Sequence, residues 1–111
     1  MEIIRVRIGQ NYKVAGIEID KTRPVEFVAE RIGEWKEFTA FGSGQSATLY
    51  RASDGRLVVY VEDWSSDGTW FSLEPVEPGD LDVNGRHELL ARACGLLTRP
   101  LTLDEALLKP I

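Results

Sequence analysis

Apolar and polar residues alternate through the middle of the chain, with the two-residue period of a β-strand. Val59 and Val61 fall on one apolar face of this run, and Ser-Asp-Gly segments at 53–55 and 66–68 flank it. Asp-Gly between β-rich runs indicates a hairpin, because these residues tolerate the positive φ that the turn needs. The pattern therefore predicts a three-stranded meander over 46–76.

The two faces of the predicted meander differ. One is apolar, whereas the other carries Tyr60 and Trp70, and we expect either the chain's own helices or a partner to cover it. The register depends on the first turn. A two-residue loop places Tyr50 opposite Val59, and a three-residue loop places Leu49 there.

The N-terminal residues predict a first hairpin. Alternation over 3–8 indicates a strand, 9–11 reads as a turn, and 13–20 is a second strand in which Gly16 marks a bulge.

The segment 24–33 fits two structures. Pro24 suits the first turn of a helix, whereas Arg23 is a poor N-cap and Phe27 falls off the apolar stripe. We predict a helix here and a strand over 34–41, with a strand for 24–33 as the alternative. The apolar residues at helical spacing are Val25, Val28, Ala29, Ile32 and Trp35.

Two helices are predicted after the sheet. Asn84 is a suitable N-cap for a helix over 85–94, and Gly95 stands where such a helix ends. Thr102 and Glu105 form a capping box that opens a last short helix.

The predicted fold is α+β, a single domain over 1–111. Its largely antiparallel sheet has the meander at its centre and helices packed on it, the C-terminal helices included. A chain of 111 residues with 43% hydrophobic and 28% charged residues fits one such domain.

Charge and cysteine content narrow the classes of function. The formal net charge is −5 and no basic stripe is visible, so we expect no nucleic-acid binding. Charges interrupt the apolar N-terminal run, which excludes a signal peptide or membrane span there. The single cysteine suits the reducing cytoplasm. An acidic surface also suits a basic protein partner.

Catalytic groups are few. His87 and Cys94, seven residues apart, would stand about 10 Å apart along one helix, beyond the reach of a nucleophile–base pair. We therefore expect neither catalysis nor a cofactor.

An acidic segment partly matches a calcium-binding loop. Asp80, Asp82, Asn84 and Glu88 supply oxygens at loop positions, but Ala91 stands where the bidentate carboxylate belongs. An extended segment that ends in an N-cap explains the same residues.

Aromatic and acidic residues gather around the second meander turn. Tryptophan is enriched at protein-binding hot spots, so these residues predict a partner-binding patch, although they could instead close the end of the core. The patch consists of Tyr60, Asp63, Trp64, Asp67 and Trp70.

Four segments resemble the β-rich part of bacterial proteins named for an EXLDI motif: 31–35, 49–51, 54–60 and 81–83, which read RIGEW, LYR, DGRLVVY and LDV. The resemblance covers about half of the chain, and here the Leu-Asp-Val is followed by 28 residues. It implies a strand over 23–33 and no particular activity.

From these observations we expect a small cytoplasmic protein-interaction module of the accessory, antitoxin or immunity kind. It would bind itself as a homodimer or another protein. The alternative is a small-ligand or metal-binding domain with its pocket between the sheet and the C-terminal helices.

Overall fold

The computed structural model describes residues 1–39, 41–97 and 102–108, and within them the fold is nearly all β. Five antiparallel strands close into a barrel in the order β1-β2-β3-β4-β5. The predicted α+β class, a sheet with helices packed on it, is therefore wrong. The elements are β1 Glu2–Val14, β2 Ile17–Phe38, β3 Gly44–Ala52, β4 Leu57–Ser65, β5 Gly68–Pro75, α1 Glu88–Ala93 and α2 Leu103–Leu108.

The first hairpin turns later than predicted. Ala15 and Gly16, both with positive φ, form a two-residue loop between paired Val14 and Ile17. The chain passes straight through the predicted turn at 9–11 and stays paired with β2. Both glycines carry a local turn signal, and strand pairing decides which one is used.

The segment 24–33 is the middle of β2, so the predicted helix is wrong and the strand alternative forms. Phe27 and Ala29 pack into the barrel interior, and Phe27 contacts Tyr50 edge to face at 5.6 Å. Phe27 is the residue that falls off the helical stripe. Pairing with β1 ends at Ala29, where pairing with β3 begins, and a bulge between Arg31 and Gly33 then interrupts the β2–β3 ladder.

The predicted meander is confirmed as β3, β4 and β5. The N–H of Ala52 donates to the carbonyl of Arg56 at 2.8 Å, so the loop between β3 and β4 has three residues, 53–55, and Leu49 consequently pairs with Val59. The second connection is the two-residue loop of Ser66 and Asp67. Of these strands, β3 and β4 carry buried residues on both faces.

One face of the meander forms the barrel interior, where Tyr50 and Tyr60 pack against Ile4 and Ala29 of the first hairpin. The opposite face carries Ala47, Leu49 and Val59, on which Leu90 of α1 packs. Aromatic and aliphatic side chains fill the interior.

The predicted last helix is present as α2. Its capping box depends on the side chain of Glu105, which lies outside the described residues.

The barrel closes through a short seam between β1 and β5. The two strands pair only over Gly9–Tyr12 and Gly68–Phe71 in the described chain. The hydroxyl of Tyr60 extends the seam by donating to the carbonyl oxygen of Arg7 at 2.7 Å. Hydrogen-bonded and non-hydrogen-bonded pairs alternate along β1 and β2 from the pair Val14–Ile17 next to the loop. By this alternation Arg7 and Pro24 are a non-hydrogen-bonded pair, so the N–H and C=O of Arg7 point away from β2. The Tyr60 hydroxyl therefore donates a hydrogen bond to the Arg7 carbonyl, which neither β2 nor β5 pairs with.

The outer edge of the first half of β2 is also protected. Pro24 has no N–H to offer there, and the carboxylate of Asp20 accepts the N–H of Thr22 at 2.9 Å.

Tyr60→Phe should lower the free energy of unfolding by about 1 kcal/mol at pH 7, because it removes the hydrogen bond to Arg7. Burial raises the pKa of Tyr60 to about 12. An unfolded tyrosine titrates near 10, so this contribution to stability is complete below about pH 10 and is lost as the pH rises towards 12.

Denaturant unfolding of both proteins at pH 7, 10 and 11.5 measures this effect. The difference in unfolding free energy should shrink at pH 11.5, because Tyr60→Phe lacks the titrating group. A difference that stays constant with pH would contradict the assignment.

Candidate functional site

The helix α1 and the turns before it cover part of the outer face of the meander. The helix begins at Glu88, three residues later than predicted, with His87 at the N-cap position. Asn84, the predicted N-cap, has a φ of 64° and lies in a turn, so that prediction is wrong. Leu90 and Ala91 are the buried residues of the helix.

The predicted helix end at Gly95 is confirmed. Gly95 has a φ of 70° and its N–H donates to the carbonyl of Arg92, while the N–H of Leu96 donates to that of Ala91. These two bonds form a Schellman motif. Cys94, just before it, packs on Gly33, where an added Cβ would lie 2.7 Å from the thiol sulfur. The C-terminal end of α1 thus packs directly on the bulge of β2.

The acidic residues of the segment that partly matches a calcium-binding loop form hydrogen bonds within turns. The carboxylate of Asp80 accepts the N–H of Glu77 at 2.8 Å, and its carbonyl accepts the N–H of His87 at 2.8 Å. Glu88 accepts the N–H of Asn84 at 3.2 Å. The side chain of Asp82 is exposed. Within 1–39, 41–97 and 102–108, no three His, Cys, Asp or Glu residues are grouped so that they could hold a metal ion.

A cleft of about 420 Å³ lies between these turns, α1 and the outer face of the meander. Apolar side chains from the sheet and helix form part of its wall, and polar groups from β5 and the turns form the rest. Its lining residues are Trp35, Gln45, Ala47, Val61, Glu74, Gly85, Arg86, His87, Glu88, Leu89 and Leu90.

The polar wall of the cleft centres on Glu74, at the end of β5. One carboxylate oxygen, Oε2, lies 2.8 Å from a guanidinium nitrogen of Arg86 and 3.6 Å from Nε2 of His87. The imidazole is 11% exposed and the carboxylate 24%. Oε2 of Glu74 and Nε2 of His87 are both buried, and neither forms a well-aligned hydrogen bond with the described residues. The guanidinium of Arg86 nevertheless places a positive charge next to Oε2. A buried polar atom in this state costs about 1–3 kcal/mol.

The five residues of the predicted patch do not share one surface. Tyr60 lies in the barrel interior and is 7% exposed, so the patch cannot include it. Trp70 is 59% exposed and pairs with Asp63, which is exposed too. Trp64 neighbours this pair along the ladder and therefore points to the opposite face.

On that opposite face, Trp64 covers Gly44 and contacts Phe38 edge to face at 5.8 Å. Asp67 is exposed in the turn, where its carbonyl accepts the N–H of Lys13 at 3.0 Å. Trp70 and Asp63 are the members of the predicted patch that remain together.

Sequence reasoning missed the group formed by Glu74, Arg86 and His87. One signal was available, because alternation along β5 places Glu74 on the same face as Trp70, opposite Phe71 and Leu73. The structure shows that α1 covers part of this face.

No protein-family model, curated protein or solved structure matches the chain. No helix in the described part of the chain is long and apolar enough to cross a membrane.

Gly85→Ala should destabilise the turns that precede α1 and form one wall of the cleft. A Cβ at this position would overlap the carbonyl oxygen of Gly79 and lie 2.6 Å from that of Asp80. Forcing these backbones apart should cost about 1–3 kcal/mol of stability, measurable by thermal unfolding. Asp82→Ala removes an exposed side chain from the same segment and should change stability by less than about 0.5 kcal/mol. Equal effects of the two substitutions would contradict this account.

Proposed function

We propose that the protein is a non-catalytic binding protein whose ligand site is the cleft beneath α1. The observation that carries this proposal is the buried pair of Glu74 and His87 in the wall of a 420 Å³ cleft. Small-molecule sites occupy about 300–1,000 Å³ and combine apolar walls with a few convergent polar groups. In the barrel interior, by contrast, Tyr50 and Tyr60 pack against Ile4 and Ala29.

The reactive groups support binding rather than catalysis. Burial raises the pKa of the Cys94 thiol, which keeps it in the protonated, unreactive form. Cys94 also packs against Gly33 and is not among the residues that line the cleft. Among the lining residues that the structure describes, no hydroxyl, thiol or amine nucleophile accompanies His87 and Glu74.

A thermal-shift screen of small molecules, with one variant that fills the cleft, tests the proposal. Gln45 lies in the wall of the cleft and its side chain is exposed, so Gln45→Trp should occupy the space without disturbing the core. Compounds that bind should raise the melting temperature in a saturable way, and Gln45→Trp should abolish that rise.

Glu18→Trp, an exposed position on the first hairpin, is the matched control and should leave the rise intact. The proposal fails if no compound stabilises the protein, or if the stabilisation survives in Gln45→Trp.

We also propose a protein-binding role, favoured by one observation. Trp70 is 59% exposed and, with Gln10 and Tyr12, lines another, smaller cleft of about 220 Å³. Exposed tryptophan beside polar residues is typical of an interaction surface. The partner would be a second copy of the chain, since closed two-fold dimers are the commonest oligomers, or a basic protein. The single cysteine supports a cytoplasmic location for either role.

Light scattering at micromolar concentration should detect a homodimer that Trp70→Glu weakens, because loss of a hot spot costs about 2 kcal/mol or more. Ile17→Glu, which alters another exposed apolar residue, should leave the dimer intact. A single 12.5 kDa species of the unmodified protein at all concentrations would exclude the dimer.

A further inference from the structure

The cleft presents three features that attract positive charge. Glu74 contributes a carboxylate whose Oε2 has no well-aligned hydrogen bond. His87 contributes Nε2, which accepts a hydrogen bond when the imidazole is neutral and carries its proton on the other nitrogen. Trp35 contributes an indole ring, the aromatic surface on which cations bind best.

Arg86 supplies the positive charge that now balances Glu74. Its guanidinium lies 2.8 Å from Oε2, yet its side chain is 59% exposed and extends from a turn. An ion pair with so exposed a partner contributes only about 0.2–1 kcal/mol, because water screens the charges and a long side chain must be held in place. Another cation of suitable shape could therefore replace this guanidinium at small cost.

The second carboxylate of the cleft already has cationic and backbone partners. Glu88 lies 3.4 Å from Arg92 on α1 and accepts the N–H of Asn84. Glu74 is consequently the group whose charge a ligand can take over.

The apolar part of the wall defines the rest of the ligand. Trp35, Val61 and Leu89 lie around the same space, and Leu89 is 50% exposed. A ligand that places hydrocarbon against these side chains would gain about 25 cal/mol for each Å² of apolar surface removed from water.

We propose that the cleft binds a small organic monocation, an ammonium or amidinium with an apolar body, whose charge replaces the Arg86 guanidinium on Glu74. This inference rests on the proposed function and specifies the ligand class. Arg86 is then the internal counterion of Glu74, and it competes with the ligand for that carboxylate.

Isothermal titration with three probes of matched shape tests the ligand class. The probes are phenethylammonium, neutral phenethyl alcohol and the anion 3-phenylpropionate. Phenethylammonium should bind at least about tenfold more tightly than the alcohol, as charge-assisted hydrogen bonds are roughly twice as strong as neutral ones. The phenylpropionate anion should bind least.

Two variants should change the affinity for phenethylammonium in opposite directions. Glu74→Gln should weaken binding about tenfold or more, because the ligand loses its charged acceptor. Arg86→Gln should strengthen binding about two- to fivefold, because it removes the competing guanidinium. A role of Arg86 in merely holding the turns would not produce tighter binding.

Arg56→Gln is the matched control for Arg86→Gln. Arg56 also belongs to an exposed ion pair, with Asp54, and its removal changes the net charge equally without touching the cleft. This control should leave the affinity for phenethylammonium unchanged. Thermal unfolding and the weaker binding of phenethyl alcohol show whether Glu74→Gln still folds around an intact cleft.

Two results would overturn the inference. One is binding of the alcohol or the phenylpropionate as tight as that of phenethylammonium, and the other is an Arg86→Gln affinity no higher than that of Arg56→Gln. In both cases the cleft would still be a ligand site if Gln45→Trp blocks the probes that bind. Loss of that sensitivity would instead remove the proposed function itself.

Discussion

Burial of β3 and β4 on both faces is the constraint on which the rest of the structure depends. Leu49 and Val59 are fully buried on the outer face, while Tyr50 and Tyr60 are buried on the inner one. A sheet that is apolar on both sides needs two covers, and the chain has to supply them. The bent β2 helps to supply the first cover, since its early half pairs with β1 and its late half joins the sheet.

The second cover is α1, which has only six residues. So short a helix protects Leu49 and Val59 but leaves the neighbouring strip around Gln45 and Val61 accessible. The cleft is that uncovered strip, closed on one side by the turns that lead into the helix. The candidate site and the core therefore have one origin, a sheet wider than the helix that covers it.

Local signals were sufficient to predict the meander and the end of α1. Alternation and Asp-Gly turns define the strands, and the first turn restricted the register to two possibilities, of which the Leu49–Val59 pairing forms. The prediction for 24–33 was wrong because Val25 and Ala29, four positions apart, fit both the helical and the strand period. Long-range pairing with β1 and β3 decides between the two structures. The predicted α+β class was wrong partly for the same reason, because it counted this segment as a helix.

The candidate site was less predictable for a different reason. Glu74 and His87 are thirteen positions apart, and they meet because the intervening turns fold back on the sheet. Those turns depend on Asn84 with a positive φ and on the close approach of Gly85 to the Gly79 backbone. Neither feature follows a sequence period, so the residues that line the cleft could not be predicted from the sequence.

The protected edge of β2 has a consequence for how the protein behaves when crowded with copies of itself. An exposed strand edge is a template on which other chains add, which is how ordered aggregates begin. Pro24 withholds one donor from such a template, and the Asp20 carboxylate already occupies the donor of Thr22. An incoming strand would therefore lack two successive N–H donors on this edge, those of positions 22 and 24. Pro24 and Asp20 thus make the edge of β2 that faces away from β1 resist aggregation.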